Sequence, residues 1–212
     1  MGRLACCAAV VAAFSLLIAA PERASAREVF TGNDLMKNCS DAVTCRTYLS
    51  ALLDADETLT GWNTLQPQFC PPAPQPSDAI WPVVRAFLEG HTDQLKFTAG
   101  SVTLIALENT YRCPAGTTTA QRSLVRYFSG AELNAVCQNF SMCQAFIIGV
   151  MDAHTSLVDW KRMRPMICLP EAAENRDLML AVADYVGGHP GELNYTAGSL
   201  VLLALTARYP CT

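Results

Sequence analysis

The residues best placed to do chemistry are ten cysteines, three histidines and a few carboxylates that recur along the chain. Eight of the cysteines form two sets with the same spacing: Cys39, Cys45, Cys70 and Cys113, then Cys137, Cys143, Cys168 and Cys211. A zinc site would use CxxC pairs or histidines at finger spacing, and neither occurs, so no metal and no cofactor is expected. A Cys–His nucleophile would have to leave one member of a matched set unpaired. Disulfides are the chemistry that uses all eight cysteines. His91 and His189 occupy equivalent places, each just after a glycine in a turn. They read as turn or capping groups, with contact to a partner as the functional alternative. Asp54 and Asp152 fall on the helix face opposite Cys45 and Cys143, which predicts solvated or locally hydrogen-bonded carboxylates. No HExxH, GxSxG, Walker loop or GxGxxG is present, so nothing points to an enzyme.

These residues recur because the chain is written twice. Moved along itself by 98 positions, residues 30–113 fall on 128–211 without a gap, with 25 identities in 84 positions. A repeat of that length is a whole domain rather than a solenoid unit. Residues 1–26 read as a cleaved signal peptide: Arg3, an apolar run, then Ala24-Ser25-Ala26. The expected divisions are a leader at 1–26, a first helical repeat at 27–113, a linker at 114–127 and a second helical repeat at 128–212. Without the leader there are 13 Lys and Arg against 18 Asp and Glu, a net charge of −5. No basic stripe is available for nucleic acid, and no membrane contact is expected after cleavage. Export also suits the cysteines, since two disulfides per repeat would stabilise cores this small.

Each repeat reads as four helices. The first spans 31–38. The second spans 44–57, with Cys45, Tyr48, Leu49, Leu52 and Leu53 on one face, and Asp41 and Ser141 are the expected N-caps. The third spans 77–89, closed by Gly90 or Gly188 as C-cap glycine. The fourth spans 93–111. It carries Thr98-Ala99-Gly100-Ser101, repeated as Thr196-Ala197-Gly198-Ser199, which predicts a close helix crossing that a larger side chain would block. Residues 59–69 have no clean period and read as an irregular excursion, with Trp62 and Trp160 as core anchors. Lys161, Arg162 and Arg164 form a basic cluster beside Trp160. The sequons at Asn38, Asn139 and Asn194 read as chance matches, the last of them inside the fourth helix. Strand signals are nearly absent. The fold class is all-α: two tandem small disulfide-stapled four-helix domains behind a cleaved signal peptide.

Four cysteines per repeat leave three pairings. If the excursion runs back along the second helix, Cys45 pairs with Cys70 and Cys39 with Cys113, repeated as Cys143 with Cys168 and Cys137 with Cys211. This is the preferred arrangement on topology. The rival, Cys39–Cys45 with Cys70–Cys113, needs the excursion to stay at the far end.

The pattern resembles a known family. Phe-Thr-Gly or Phe-Ser-Gly opens each repeat, then come C-x5-C, an Asp-bearing apolar helix, C-x-P, a V-x-x-[FY]-[LV] helix, a Gly-His turn, an A-G-S-[VL]-x-L-x-A-L helix and Y-x-C. The second copy, with Gly188-His189-Pro190 and Tyr209-Pro210-Cys211, is the better match. This resembles the Rap/Tai immunity proteins, which protect bacteria against type VI secretion amidase effectors. The resemblance implies a periplasmic, all-helical, non-catalytic inhibitor that binds a peptidoglycan amidase and blocks its cleft. It implies that the turn between the third and fourth helices, residues 90–96 and 188–194, makes the contact. The partner-binding residues are then His189, Pro190, Gly191 and Glu192, with His91 and Gln94 in the first copy. The tandem implies a monomer that mimics the family's dimer, or a homodimer of the fused chain. The alternative is a periplasmic acid-stress chaperone or another non-catalytic envelope binding protein. Four disulfides and few histidines fit poorly with a protein that must unfold in acid.

Overall fold

A capping box starts each repeat. The Thr31 hydroxyl accepts the Asp34 N–H, and the Asp34 carboxylate accepts the Thr31 N–H at 3.0 Å, which fixes the first turn of helix α1, Gly32–Asn38. Ser129 and Glu132 do the same for α5, Gly130–Val136. The computed structural model describes residues 30–39, 42–71, 79–118 and 128–211. The expected leader, the Asp41 cap, the stretch at 72–78 and most of the linker lie outside the described residues. Within them the chain is all-α, with α2 at Ala42–Gly61, α3 at Ile80–Gly90, α4 at Ala99–Thr110, α6 at Phe140–Asp159, α7 at Asn175–Gly188 and α8 at Ala197–Arg208. Asn139, not Ser141, caps α6, its side chain accepting the Met142 N–H at 3.1 Å.

The two repeats share one hydrophobic core. At its centre α2 and α6 run in opposite directions. The Tyr48 hydroxyl donates to Asp152 Oδ2 at 2.8 Å, and three residues on, Ala51 meets Gly149. Ala51 and Gly149 are repeat-equivalent, so a pseudo-two-fold axis passes between them. A Cβ on Gly149 would lie 2.5 Å from the Tyr48 carbonyl oxygen, so the helices approach to backbone contact there. The fourth helices cross over: α4 of the first repeat packs on α6 of the second, and α8 packs on α2. Gly100 and Gly198 make these crossings against Asp152 and Asp54. The flanking hydroxyls bond across the same seams, Ser101 to Ser156 at 3.0 Å and Thr58 to Thr196 at 3.1 Å. The close crossing read from the small run is therefore present, and it joins one repeat to the other.

This seam corrects the reading of the aspartates. Asp54 has no exposed surface, and its Oδ2 accepts the Gly198 N–H at 2.7 Å. Asp152 is half-buried beneath the Tyr48 hydroxyl. The face opposite the cysteines is not solvent, because the other repeat covers it. For the same reason α2 is buried on all sides between Thr47 and Thr60. The Tyr48 phenol is raised well above its ordinary value, first by burial and then by the Asp152 charge and bond.

The disulfides follow the rival pairing: Cys39–Cys45, Cys70–Cys113, Cys137–Cys143 and Cys168–Cys211. The reason is the length of the second helix, 20 residues in both repeats and so about 30 Å. It continues through Leu59 to Gly61, beyond the expected end, and carries the chain away from Cys45. The excursion then stays at that far end: the Cys70 N–H donates to the Tyr111 carbonyl at 2.7 Å, which sets Cys70 beside Cys113. On the chain-entropy model the short loops contribute about 2 kcal/mol each and the long ones about 4 kcal/mol.

Two helix ends also differ from expectation. The fourth helix begins at Ala99 and Ala197 instead of about six residues earlier, because the preceding carbonyls are taken by α1 and α5. Gly32 donates to Phe97 and Asn33 to Leu95, both at 2.9 Å, and Gly130 donates to Tyr195 at 2.9 Å. Asn194 accordingly sits in an exposed turn, not in a helix. Gly90 and Gly188 are the last helical residues, and the C-caps are His91 and His189 with φ of −134° and −126°. Trp62 is 39% exposed rather than a core anchor, because the helix end displays it.

Candidate functional site

The turn between α7 and α8 is built by four residues of the second repeat: Tyr185, His189, Pro190 and Glu192. His189 ends α7, and its Nδ1–H donates to the Tyr185 carbonyl at 2.7 Å, satisfying one of the last free carbonyls of the helix. Its ring stacks on Tyr185, with centroids 4.0 Å apart and planes 17° apart. A single 3-10 turn, Pro190–Glu192, follows, with proline at its start where no N–H is needed. The Tyr185 hydroxyl then donates to Glu192 Oε2 at 3.1 Å. Tyr185 thus ties both ends of the turn. Its phenol is pushed up, first by burial and then by the Glu192 bond and charge.

The turn between α3 and α4 repeats the first half of this arrangement. His91 Nδ1–H donates to the Phe87 carbonyl at 2.8 Å, and the rings stack at 4.2 Å. Phe87 has no hydroxyl, so Gln94 cannot be held as Glu192 is. Thr92 replaces Pro190 at the start of the 3-10 turn Thr92–Gln94. The six residues singled out from sequence therefore form two turns, one per repeat. His91, His189, Pro190 and Gly191 are exposed, and Gln94 and Glu192 are half-buried. The capping reading of both histidines agrees with this geometry, and capping leaves each ring exposed with Nε2 outside the cap bond. Tyr185, which ties both ends of the second turn, was not singled out from sequence as a site residue. Its only signal there is the place it shares with Phe87, four residues before the histidine.

Other features carry less. A cleft of about 560 Å³ lies where α1 and α2 meet α6, edged by Asn38, Gln144 and Asn175. The basic cluster is partly spent internally: Arg162 stacks on Trp160 with its guanidinium carbon 4.6 Å from the ring centre, pairs with Glu108 and bonds Gln68. Lys161 holds a left-handed φ of 58°, matching Asn63 at 56° in the first repeat. Among the described residues there is no group of side chains that could hold a metal ion, and no helix long and apolar enough to cross a membrane.

One buried titratable group bears on stability. His154, in α6, accepts the Met166 N–H on Nε2 at 3.1 Å, which requires a neutral ring. Burial lowers its pKa from 6.5 to about 4. Below pH 6.5 the unfolded chain takes up this proton and the folded chain does not, so stability falls as pH falls, until about pH 4. The loss over that window is about 3 kcal/mol. Urea titrations at pH 7 and pH 4.5 are expected to show it, and His154→Gln is expected to flatten the difference. An equally steep fall in His154→Gln would assign the acid sensitivity to other groups.

The family model for Rap1a immunity proteins matches the chain twice, over residues 31–113 and 129–211. No curated protein and no solved structure matches it.

Proposed function

The chain belongs to the Rap1a immunity proteins, and we propose that its target is a peptidoglycan amidase effector of type VI secretion, bound in the periplasm. An immunity protein acts by occupying a protein effector, so it needs no chemistry of its own. What supports this reading most is the turn at 189–192. Stacking, the histidine cap, Pro190 and the Tyr185–Glu192 bond hold it in one conformation before any partner arrives. A pre-ordered turn enters a cleft at low entropic cost. His189 would offer a polar ring edge, and Glu192 its carboxylate, to a catalytic histidine or a basic cleft wall. The periplasmic assignment rests on the apolar leader expected at 1–26 and on the four disulfides.

The fused chain acts as a monomer in this reading. Its repeats already face each other about a pseudo-two-fold axis, as two subunits of a dimer would. The turn of the first repeat has Thr92 for Pro190 and no phenol at Phe87 to reach Gln94, and in this reading it contributes less.

The double variant His189→Ala with Glu192→Ala is expected to weaken amidase binding by about 1–4 kcal/mol, as truncations at interface hot spots do. His91→Ala with Gln94→Ala is expected to cost less. Titration calorimetry with the purified amidase measures both, and circular dichroism checks the fold. Unchanged affinity in both variants would move the interface elsewhere, with the surface at 160–164 as the next candidate.

A further inference from the structure

Six large apolar side chains are exposed among the described residues: Val43, Trp62, Phe97, Phe140, Leu180 and Tyr195. Single exposed apolar residues are ordinary and call for no explanation. Phe97 and Tyr195 are different, because they occupy the same position in the two repeats. Phe97 is 50% exposed and Tyr195 47%. Among the described residues no other repeat-equivalent pair keeps an exposed large apolar residue in both copies. Ala42 stands opposite Phe140, Ser141 opposite Val43 and Pro82 opposite Leu180, while Trp160 is half-buried where Trp62 is exposed. The copies have diverged to 25 identities in 84 positions, yet both retain an exposed aromatic ring here. Packing does not require it, since half of each ring lies outside the core.

The backbone beneath these rings is pinned on both sides. The Phe97 N–H donates to Gln94 at 3.0 Å, and its carbonyl accepts from Gly32 at 2.9 Å. The Tyr195 N–H donates to Glu192 at 2.8 Å, and its carbonyl accepts from Gly130 at 2.9 Å. Each ring therefore stands on the closing arm of its turn, three residues beyond Gln94 or Glu192. A ring on a fixed backbone loses little entropy on burial and offers a large apolar face, which is the behaviour of an interface anchor.

We propose that Phe97 and Tyr195 anchor the protein effector, each filling an apolar pocket beside the cleft that the adjacent turn enters. This rests on the turn reading above and extends the contact from its polar tip to an aromatic flank. The two anchors would select different pockets. Lys96 holds its ammonium 5.6 Å from the centre of the Phe97 ring, so the Phe97 pocket needs an acidic rim. Tyr195 has Asn194 beside it and a hydroxyl at its tip, so its pocket needs a hydrogen-bonding group at its base.

The test uses the whole chain and a purified peptidoglycan amidase effector from the strain that encodes it. Phe97→Ala with Tyr195→Ala is expected to weaken binding about 10- to 100-fold without moving the thermal midpoint. His189→Ala with Glu192→Ala is measured beside it. If both variants weaken binding, the inference and the turn reading stand together. If only the tip variant does, the aromatic anchors are overturned and the turn reading survives. If only the aromatic variant does, the anchors stand and the centre of the interface moves off the tip. An intact chain that binds no amidase overturns both. If sedimentation shows the intact chain self-associating and the aromatic variant not, the rings belong to a contact between copies, and the inference falls.

Discussion

Leu52→Asp is expected to cost about 4 kcal/mol or more, enough to abolish cooperative folding at ordinary temperature. Leu52 has no exposed surface and lies in α2, the helix enclosed by both repeats. A carboxylate there would have no partner of opposite charge. It would also stand one helical turn from Asp56 and two residues from Asp54, both buried. Repulsion would then add to desolvation. Val150→Asp is the equivalent change in α6, where Val150 is also fully buried, and its expected cost is similar. The pair tests the shared core as well as the helix face. Because α2 and α6 are the common centre, Val150→Asp is expected to unfold the first repeat together with the second, in one transition. A melt followed by circular dichroism measures this. An intact transition remaining for one repeat would mean two separate cores, and an unaltered midpoint would mean that the wrong face is buried.

The helices were legible in the sequence because each repeat carries its own local signals. The stripe from Cys45 to Leu53 marked the face of α2 that its own repeat buries, the other repeat covering the rest, and the matched cysteines implied that all eight are bonded, as they are. What was not legible depends on the second repeat being present. Asp54 reads as solvated on an isolated helix, and only α8 crossing above it turns the carboxylate into a buried acceptor for Gly198. The disulfide pairing turned on the length of α2, whose last turns, through Thr58 and Thr60, look polar enough to be loop. They are buried helix, and the Thr58 hydroxyl there meets those of Thr196, just before α8, and Ser199 within it. The start of the fourth helix was misplaced for a related reason: Gly32 and Gly130 draw the carbonyls of Phe97 and Tyr195 out of the helical path.

The turn of the candidate site was only half legible. The repeated Gly-His step located it. The ordering of the second turn depends on Tyr185 reaching Glu192 across seven residues, and no local pattern announces that bond. The first repeat has Phe87 and Gln94 at the places of Tyr185 and Glu192, so its turn lacks this bond, and it also has Thr92 and Asp93 where the second has Pro190 and Gly191. The duplication thus left one scaffold presenting two turns of different side-chain bonding and charge.

Gly100→Val is the sharpest test of the crossing that joins the repeats, with an expected loss of about 3 kcal/mol or more. A Cβ on Gly100 would lie 2.7 Å from the Asp152 carbonyl oxygen and 2.8 Å from its carbonyl carbon and Cβ. These are backbone atoms of α6 and the first atom of a side chain, so no flexible group can move aside. Relief requires α4 to lift away from α6, which would strain the Ser101–Ser156 bond and open the core beneath Val102 and Leu104. The equivalent Gly198→Val meets the Asp54 carbonyl carbon at 3.0 Å and the Ala55 nitrogen at 3.1 Å, a softer clash whose expected cost is smaller. Gly90→Ala is the control, since a Cβ there has nothing within 4 Å and its backbone has no left-handed φ. That change is expected to be neutral or slightly stabilising. Thermal melts of the three variants are expected to rank Gly100→Val lowest, by about 10 °C relative to the unaltered chain, then Gly198→Val, with Gly90→Ala unchanged. A Gly100→Val midpoint equal to that of Gly90→Ala would show that the helices do not meet at backbone contact, and that the repeated small run serves some other purpose.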